Sequence, residues 1–207
     1  MKWSEFYRQI VAFPLFSLPI AEQILAQPKP QVVQQMQRWI AAGQIISLRR
    51  GMYALSPIYQ KAPLSPLHVA NELYRPSYLS GLWALGYYGL IPERVVLFMS
   101  VTTRVTRKFL NPLGEFAYSS IRRDLFRNFS KREIDGFSVW IAEPEKALLD
   151  CWHLNPGEWH AARMEEMRFQ EFGLVAGKKL LAYSLGYPPR VQKAVTVWNA
   201  MLERQGD

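Results

Sequence analysis

Between Gln27 and Leu55 the chain carries a pattern that few folds accommodate: a proline-bounded amphipathic helix followed at once by a hairpin with a doubly basic tip. Gln27-Pro28-Lys29-Pro30 breaks the preceding element. Pro30 suits the first turn of a helix, where its missing N–H has no partner to lose. The spacing predicts a helix from there to about Ala42, ended by Gly43, a favourable C-cap residue. At 100° per residue, Val32, Val33, Met36, Trp39 and Ile40 fall within one face. Gln31, Gln34 and Arg38 point the opposite way, with Gln35 on the flank. Ala41 and Ala42 keep that outer surface slim.

Next comes Gln44-Ile45-Ile46-Ser47-Leu48-Arg49-Arg50-Gly51-Met52-Tyr53-Ala54-Leu55. Two short strands flank Arg49-Arg50-Gly51, and Gly51 can take the positive φ of a tight turn. Upstream, Trp3, Phe6, Tyr7, Ile10 and Val11 recur at helical spacing until Pro14, and Ile20, Ile24 and Leu25 form a shorter stripe. Helix, short helix, breaker, polar-faced helix and basic hairpin together predict a winged helix-turn-helix in residues 1–57. Gln pairs with adenine and Arg makes bidentate contacts to guanine, so Gln31, Gln34, Gln35 and Arg38 are the candidate base readers. Arg49 and Arg50 are candidate wing contacts to phosphates or a minor groove. Such modules also serve in dimerisation and protein docking; the order of the pieces favours DNA.

The charge distribution points the same way. The net charge is +8, and residues 1–60 carry half of it, with six Lys/Arg against two Asp/Glu. An excess of this sign favours an anionic partner. The single cysteine, Cys151, excludes an internal disulfide and a multi-Cys zinc site and suits a reducing compartment. No apolar run approaches the ~20 residues that span a bilayer. The N-terminus is charged too early for a signal peptide. The expected location is the cytoplasm, with no membrane partner.

Residues 58–66 are proline-rich and read as a linker; residues 67–207 read as a mixed α/β domain with a helical C-terminus, so the class is α+β. Helices are expected at 66–72, from Ser77 as N-cap to about Gly89, and from Pro144 onward. Strands are expected at 95–101, 115–118 and 137–141. A final helix carries the stripe Val191, Ala194, Val195, Trp198 and Leu202. Arg104, Arg107, Lys108, Arg122, Arg123, Arg127, Lys131 and Arg132 form a basic stretch. It is either a solvated face or a contact surface for phosphate or an acidic partner.

Catalytic signatures are missing. There is no Walker A loop, GxGxxG opening or G-x-S-x-G elbow. Cys151 and His153 sit at i and i+2 of a helix, about 200° apart, and cannot face each other. His153 and His160 lack a third ligand. Glu143, Glu145 and Asp150 read more simply as helix N-terminal charge and solvated surface than as acid/base groups. Neither an enzyme, a cofactor nor a metal is expected.

Several segments resemble the antitoxins of the AbiE type (AbiEi family), from bacterial abortive-infection toxin–antitoxin systems. They are Leu48-Arg49-Arg50-Gly51-Met52-Tyr53-Ala54-Leu55, the stretch from Pro76-Ser77-Tyr78-Leu79-Ser80-Gly81 to Gly89-Leu90-Ile91-Pro92, Val101-Thr102-Thr103-Arg104, and Ile141-Ala142-Glu143-Pro144-Glu145-Lys146-Ala147-Leu148-Leu149-Asp150. The resemblance runs from the wing to about Trp152. It implies an N-terminal domain that binds inverted repeats in its own promoter as a repressor. It also implies a C-terminal domain that counteracts a nucleotidyltransferase-like toxin, directly or indirectly. Arg49 and Arg50 would be wing contacts, and the basic stretch 104–132 would serve the antitoxin role or touch DNA. An inverted-repeat operator would call for two copies, as a homodimer or as monomers on separate half-sites. The alternatives are a winged-helix regulator without a toxin and, on the basic stretch, a nucleic-acid-processing enzyme.

Overall fold

The structure, a computed structural model, describes residues 1–206. The first quarter folds as α1 (Trp3–Ile10), β1 (Phe16–Ser17), α2 (Leu18–Leu25), α3 (Lys29–Ala41), β2 (Ile45–Arg49) and β3 (Met52–Leu55). The strands pair antiparallel in the order β1-β3-β2, which is winged helix-turn-helix topology. The apolar stripes meet as read from their spacing: Phe6 and Ile10 of α1 and Val32, Met36 and Trp39 of α3 are buried with Phe16 and Tyr53. The Trp39 ring sits 4.4 Å from Phe6 and 5.3 Å, edge-on, from Trp3.

The wing ladder is irregular at one point. Ser47 pairs with Tyr53 and Arg49 with Met52, so Leu48 is the extra residue of a bulge. A bulge re-aims the side chains around it. Leu48 turns out of the small core into the larger one of the second domain. The turn itself is Arg50-Gly51, with Gly51 at φ +75°, a conformation costly for any residue with a Cβ. The Gly51 carbonyl accepts from the Leu18 amide at 2.9 Å, fixing the tip against the start of α2.

The second domain runs α4 (Pro66–Leu73), β4 (Ser77–Leu79), α5 (Gly81–Tyr87), β5 (Phe98–Thr102), β6 (Arg107–Asn111), β7 (Gly114–Ser120), β8 (Phe129–Ile134), β9 (Phe137–Ala142), α6 (Pro144–Leu154), α7 (Ala161–Glu166), α8 (Gly177–Tyr183) and α9 (Pro189–Gly206). Its six strands lie in the order β6-β7-β5-β4-β9-β8, with β5/β7 and β4/β9 parallel and the other pairs antiparallel. The chain is therefore an α+β protein with a helical C-terminal part. Among the described residues, no helix is long and apolar enough to cross a membrane.

Three local expectations change. Ser77 does not cap a helix; it opens β4, and α5 begins only at Gly81. Tyr78 and Leu79 are buried in a strand between β5 and β9, and this tertiary pairing overrides the local helix signal. The strand expected at 95–101 starts at Phe98, where β7 begins to pair, and leaves Val96 exposed. The segment read as a linker is pinned. Tyr59 packs on Trp3 at 5.2 Å, and the Gln60 side chain donates to the Leu55 carbonyl and accepts from the Leu64 amide. Leu64 is already part of the larger core, and Ser65 caps α4.

Under the sheet lies a buried polar knot. The Lys146 ammonium and the Asp150 carboxylate, one turn apart on α6, form an ion pair at 2.5 Å with neither side chain reaching solvent. Lys146 also donates to the Leu125 carbonyl at 2.8 Å. Asp150 accepts from Tyr78 (2.9 Å), Ser80 (2.7 Å) and Tyr187 (3.0 Å). Burial pulls the Lys146 ammonium below its ordinary value, with Asp150 acting in the opposite direction. The same burial and carboxylate drive the Tyr78 hydroxyl well up. Asp150 is thus not on a solvated surface. Nor is Glu145: it is buried, accepts from the Ala176 amide and meets Lys179 of α8, which also holds Glu143, at 3.0 Å each. These carboxylates fasten α6 to its neighbours.

Cys151 is sealed in the same core, and burial pushes its thiol up to about 12. The thiolate is the reactive form. A native sample should therefore resist iodoacetamide at pH 8 and label fully in denaturant; rapid labelling of the folded chain would contradict this packing.

Candidate nucleic-acid interface

On α3, Val32, Met36 and Trp39 face the core, whereas Gln31, Gln34 and Arg38 are exposed and Gln35 is half-buried beside them. From Gln31 to Arg38 the helix rises about 10 Å, or roughly three base-pair steps. The helix diameter with side chains, about 10–12 Å, matches a major groove of about 12 Å. Ala41 and Ala42 are exposed and add no bulk at the C-terminal end. Gln31, Gln34, Gln35 and Arg38 thus lie together.

The two wing arginines part company. Arg50 is exposed at the tip. Arg49, beside the bulge, turns inward: its Nε donates to the Leu73 carbonyl at 2.7 Å and its Nη1 to the Arg50 carbonyl at 3.1 Å. The first of these bonds crosses the domain junction, so Arg49 serves as a tie rather than a freely presented phosphate contact. A second tie lies alongside, where Asn111 at the end of β6 donates to the Leu48 carbonyl at 3.1 Å. Edge strand β2 of the wing and edge strand β6 of the large sheet stand next to each other.

The basic stretch of the sequence does not form one surface. Arg107 and Lys108 belong to β6 and Lys131 and Arg132 to β8, the opposite edges of the six-stranded sheet. Five strand spacings separate them, about 24 Å. Arg122 and Arg127 sit on the β7–β8 connection and donate to the carbonyls of Gly186 (2.8 Å) and Leu185 (2.7 Å), with Arg122 also paired to Asp124. Arg123 is exposed on the same connection. Arg104 and Arg107 share one buried ring beside the residue to which the wing is tied. Both lie over the Tyr74 ring, at 4.2 Å and 5.9 Å from its centre, one residue beyond the carbonyl that Arg49 holds.

The spacing of charges along the chain could not reveal this division, because β6 and β8 carry too few apolar residues to read as strands. Arg75 is a further basic residue at the junction that the sequence left unmarked; it is exposed and pairs with Glu72. Its only sequence signal is its position before Pro76. Among the described residues, no group of three or more His, Cys, Asp or Glu is placed to hold a metal ion.

The fold and the exposed α3 face define a two-domain α+β protein with a winged helix-turn-helix at its N-terminus. No family model matches the chain, and no curated protein matches it by sequence. Among solved structures it is similar to the RV2827C protein from Mycobacterium tuberculosis, with a TM-score of 0.58 and 13% identity over 97% of this chain and 80% of that one. At this identity the likeness speaks for the fold, and it spans both domains.

Proposed function

We propose that this chain is a DNA-binding regulator that represses its own operon and, as an antitoxin of the AbiE type, counteracts a nucleotidyltransferase-like toxin. The observation that carries the DNA half is the α3 face, where Gln31, Gln34 and Arg38 stand exposed on a helix anchored from behind by Val32, Met36 and Trp39. The antitoxin half rests on the sequence resemblance. Its segments meet inside the molecule, since Tyr78 and Ser80 of one bond to Asp150 of another. Tyr78, Ser80 and Asp150 are thus fold-bearing, whereas Arg50 and Arg104, in other matched segments, are exposed.

Fluorescence anisotropy with DNA from upstream of the gene tests the first half. Gln34→Ala with Arg38→Ala should weaken operator binding at least about tenfold, since each bidentate base contact contributes about 1–3 kcal/mol of discrimination. Binding to unrelated duplex should stay the same. Equal affinity of wild type and variant for the operator would remove α3 as the reader. For the second half, the chain is co-expressed with a neighbouring nucleotidyltransferase. Restored growth supports the antitoxin reading, whereas toxicity that the chain cannot relieve, or no such neighbour, leaves a regulator without a toxin. Turnover of nucleic acid by the purified protein would instead favour a processing enzyme.

A further inference from the structure

We infer that a cavity between the start of β4 and the β8–β9 hairpin binds a small planar aromatic carboxylate, with the ring against Phe126, Phe129 and Trp140 and the carboxylate on Arg75 and Ser77. The site lies within the second domain and depends on neither the DNA nor the toxin reading. Its volume is about 330 Å³, in the range of small-molecule sites. The aromatic wall is built in advance. Phe129 and Trp140 stand edge-on at 5.8 Å, and Phe126 meets Phe129 edge-on at 5.0 Å. From behind, Tyr78 stacks on Phe129 at 4.3 Å, and its hydroxyl is held by Asp150. Asn71 of α4 fixes the Trp140 backbone, donating to its carbonyl at 3.2 Å and accepting from its amide at 2.6 Å. A wall held in this way reduces the ordering cost of binding. The Trp140 side chain itself is exposed.

Two polar groups complete the lining. Ser77 is only 7% exposed, yet its hydroxyl has no hydrogen-bond partner among the described residues. A buried hydroxyl left unpaired is costly, and an acceptor in the cavity would satisfy it. Serine has three staggered χ1 wells, so the hydroxyl can swing toward such an acceptor. Arg75 also lines the cavity. Its Nη2 pairs with Glu72, and the rest of its planar fork of donors suits a second carboxylate. Because Glu72 already offsets part of its charge, a singly charged carboxylate fits better than a phosphate dianion. Rings on the wall favour a ring over an aliphatic chain through stacked and edge-on contacts. An apolar wall with a few convergent polar groups is the usual make-up of a small-molecule site.

The test is calorimetric titration of the full chain with benzoate, phenylacetate and indole-3-acetate, beside the neutral tryptophol and adenosine monophosphate. At least one of the three acids should bind saturably, one per chain, and more tightly than tryptophol or the nucleotide. Arg75→Gln should weaken that acid at least about tenfold, since a charge-assisted fork contact is lost. Ser77→Ala should weaken it about threefold to tenfold while leaving thermal stability unchanged or raised, a split that a purely structural serine would not produce. Arg8→Gln, in α1, should bind like wild type. In ¹H–¹⁵N spectra the Trp140 indole N–H, identified by its loss in Trp140→Phe, should shift on titration. The inference is overturned if none of the acids binds at millimolar concentration, or if Arg75→Gln binds as well as wild type. Equal binding of tryptophol would overturn it as well, by showing that the carboxylate is not held. Tighter binding of the nucleotide would make the site one for phosphate, and a Trp140 signal unmoved at saturation would put the acid elsewhere.

Discussion

Asp150→Ala is expected to cost about 3–5 kcal/mol of folding stability, the usual penalty for stranding one member of a buried ion pair. The substitution leaves the Lys146 ammonium in the core with carbonyl and hydroxyl partners but no counter-charge, and removes the acceptor shared by Tyr78, Ser80 and Tyr187. Guanidinium denaturation followed by tryptophan fluorescence measures the loss. Pairing Lys146→Met with Asp150→Leu should cost less than the two single changes added together, because no charge is then buried alone. Strict additivity would show that the pair acts as two independent residues. A single-variant loss under about 1 kcal/mol would show that Lys146 is already neutral in the core.

The second large effect is expected at Trp198, on the stripe of α9. Its side chain is fully buried, with Phe169 and Phe172 rings at 4.8 Å and 4.9 Å and Trp152 of α6 at 6.0 Å. Trp198→Ala should cost about 3–5 kcal/mol through lost contacts and the cavity left behind. The same denaturation experiment reads it. A loss confined to the second domain would appear as two separate transitions. A single shifted transition would show that the Arg49 and Asn111 ties make the two domains unfold together. Either outcome assigns α9 to the core; a loss under about 1 kcal/mol would take it out.

The N-terminal domain was legible because its signals are local. A helix face at 3.6-residue spacing, a breaker at Pro28 and Pro30 and a glycine at position 51 each act within a few residues. α6 and α9 were legible for the same reason. What could not be read is what only the assembled sheet decides. Ser77, Tyr78 and Leu79 became a strand because β5 and β9 flank them. Arg107–Asn111 and Phe129–Ile134 are edge strands whose outward charges hid their period. Asp150 read as surface charge because its partners Tyr78 and Tyr187 lie 72 and 37 residues away. On the candidate interface, the α3 residues were placed from spacing alone. The inward turn of Arg49 was not, since it depends on a one-residue bulge at Leu48 and on a carbonyl from α4.

The way the wing docks also bears on how the chain behaves at high concentration. An uncovered strand edge invites another copy to add a strand, and long apolar edges nucleate aggregates. The two sheets present four such edges. β1 is only two residues long, β2 and β6 shield each other, and β8 meets water with Lys131, Arg132 and Glu133 exposed in succession. Those charges deter unwanted self-association at the one long edge left uncovered, a role that needs neither DNA nor a toxin.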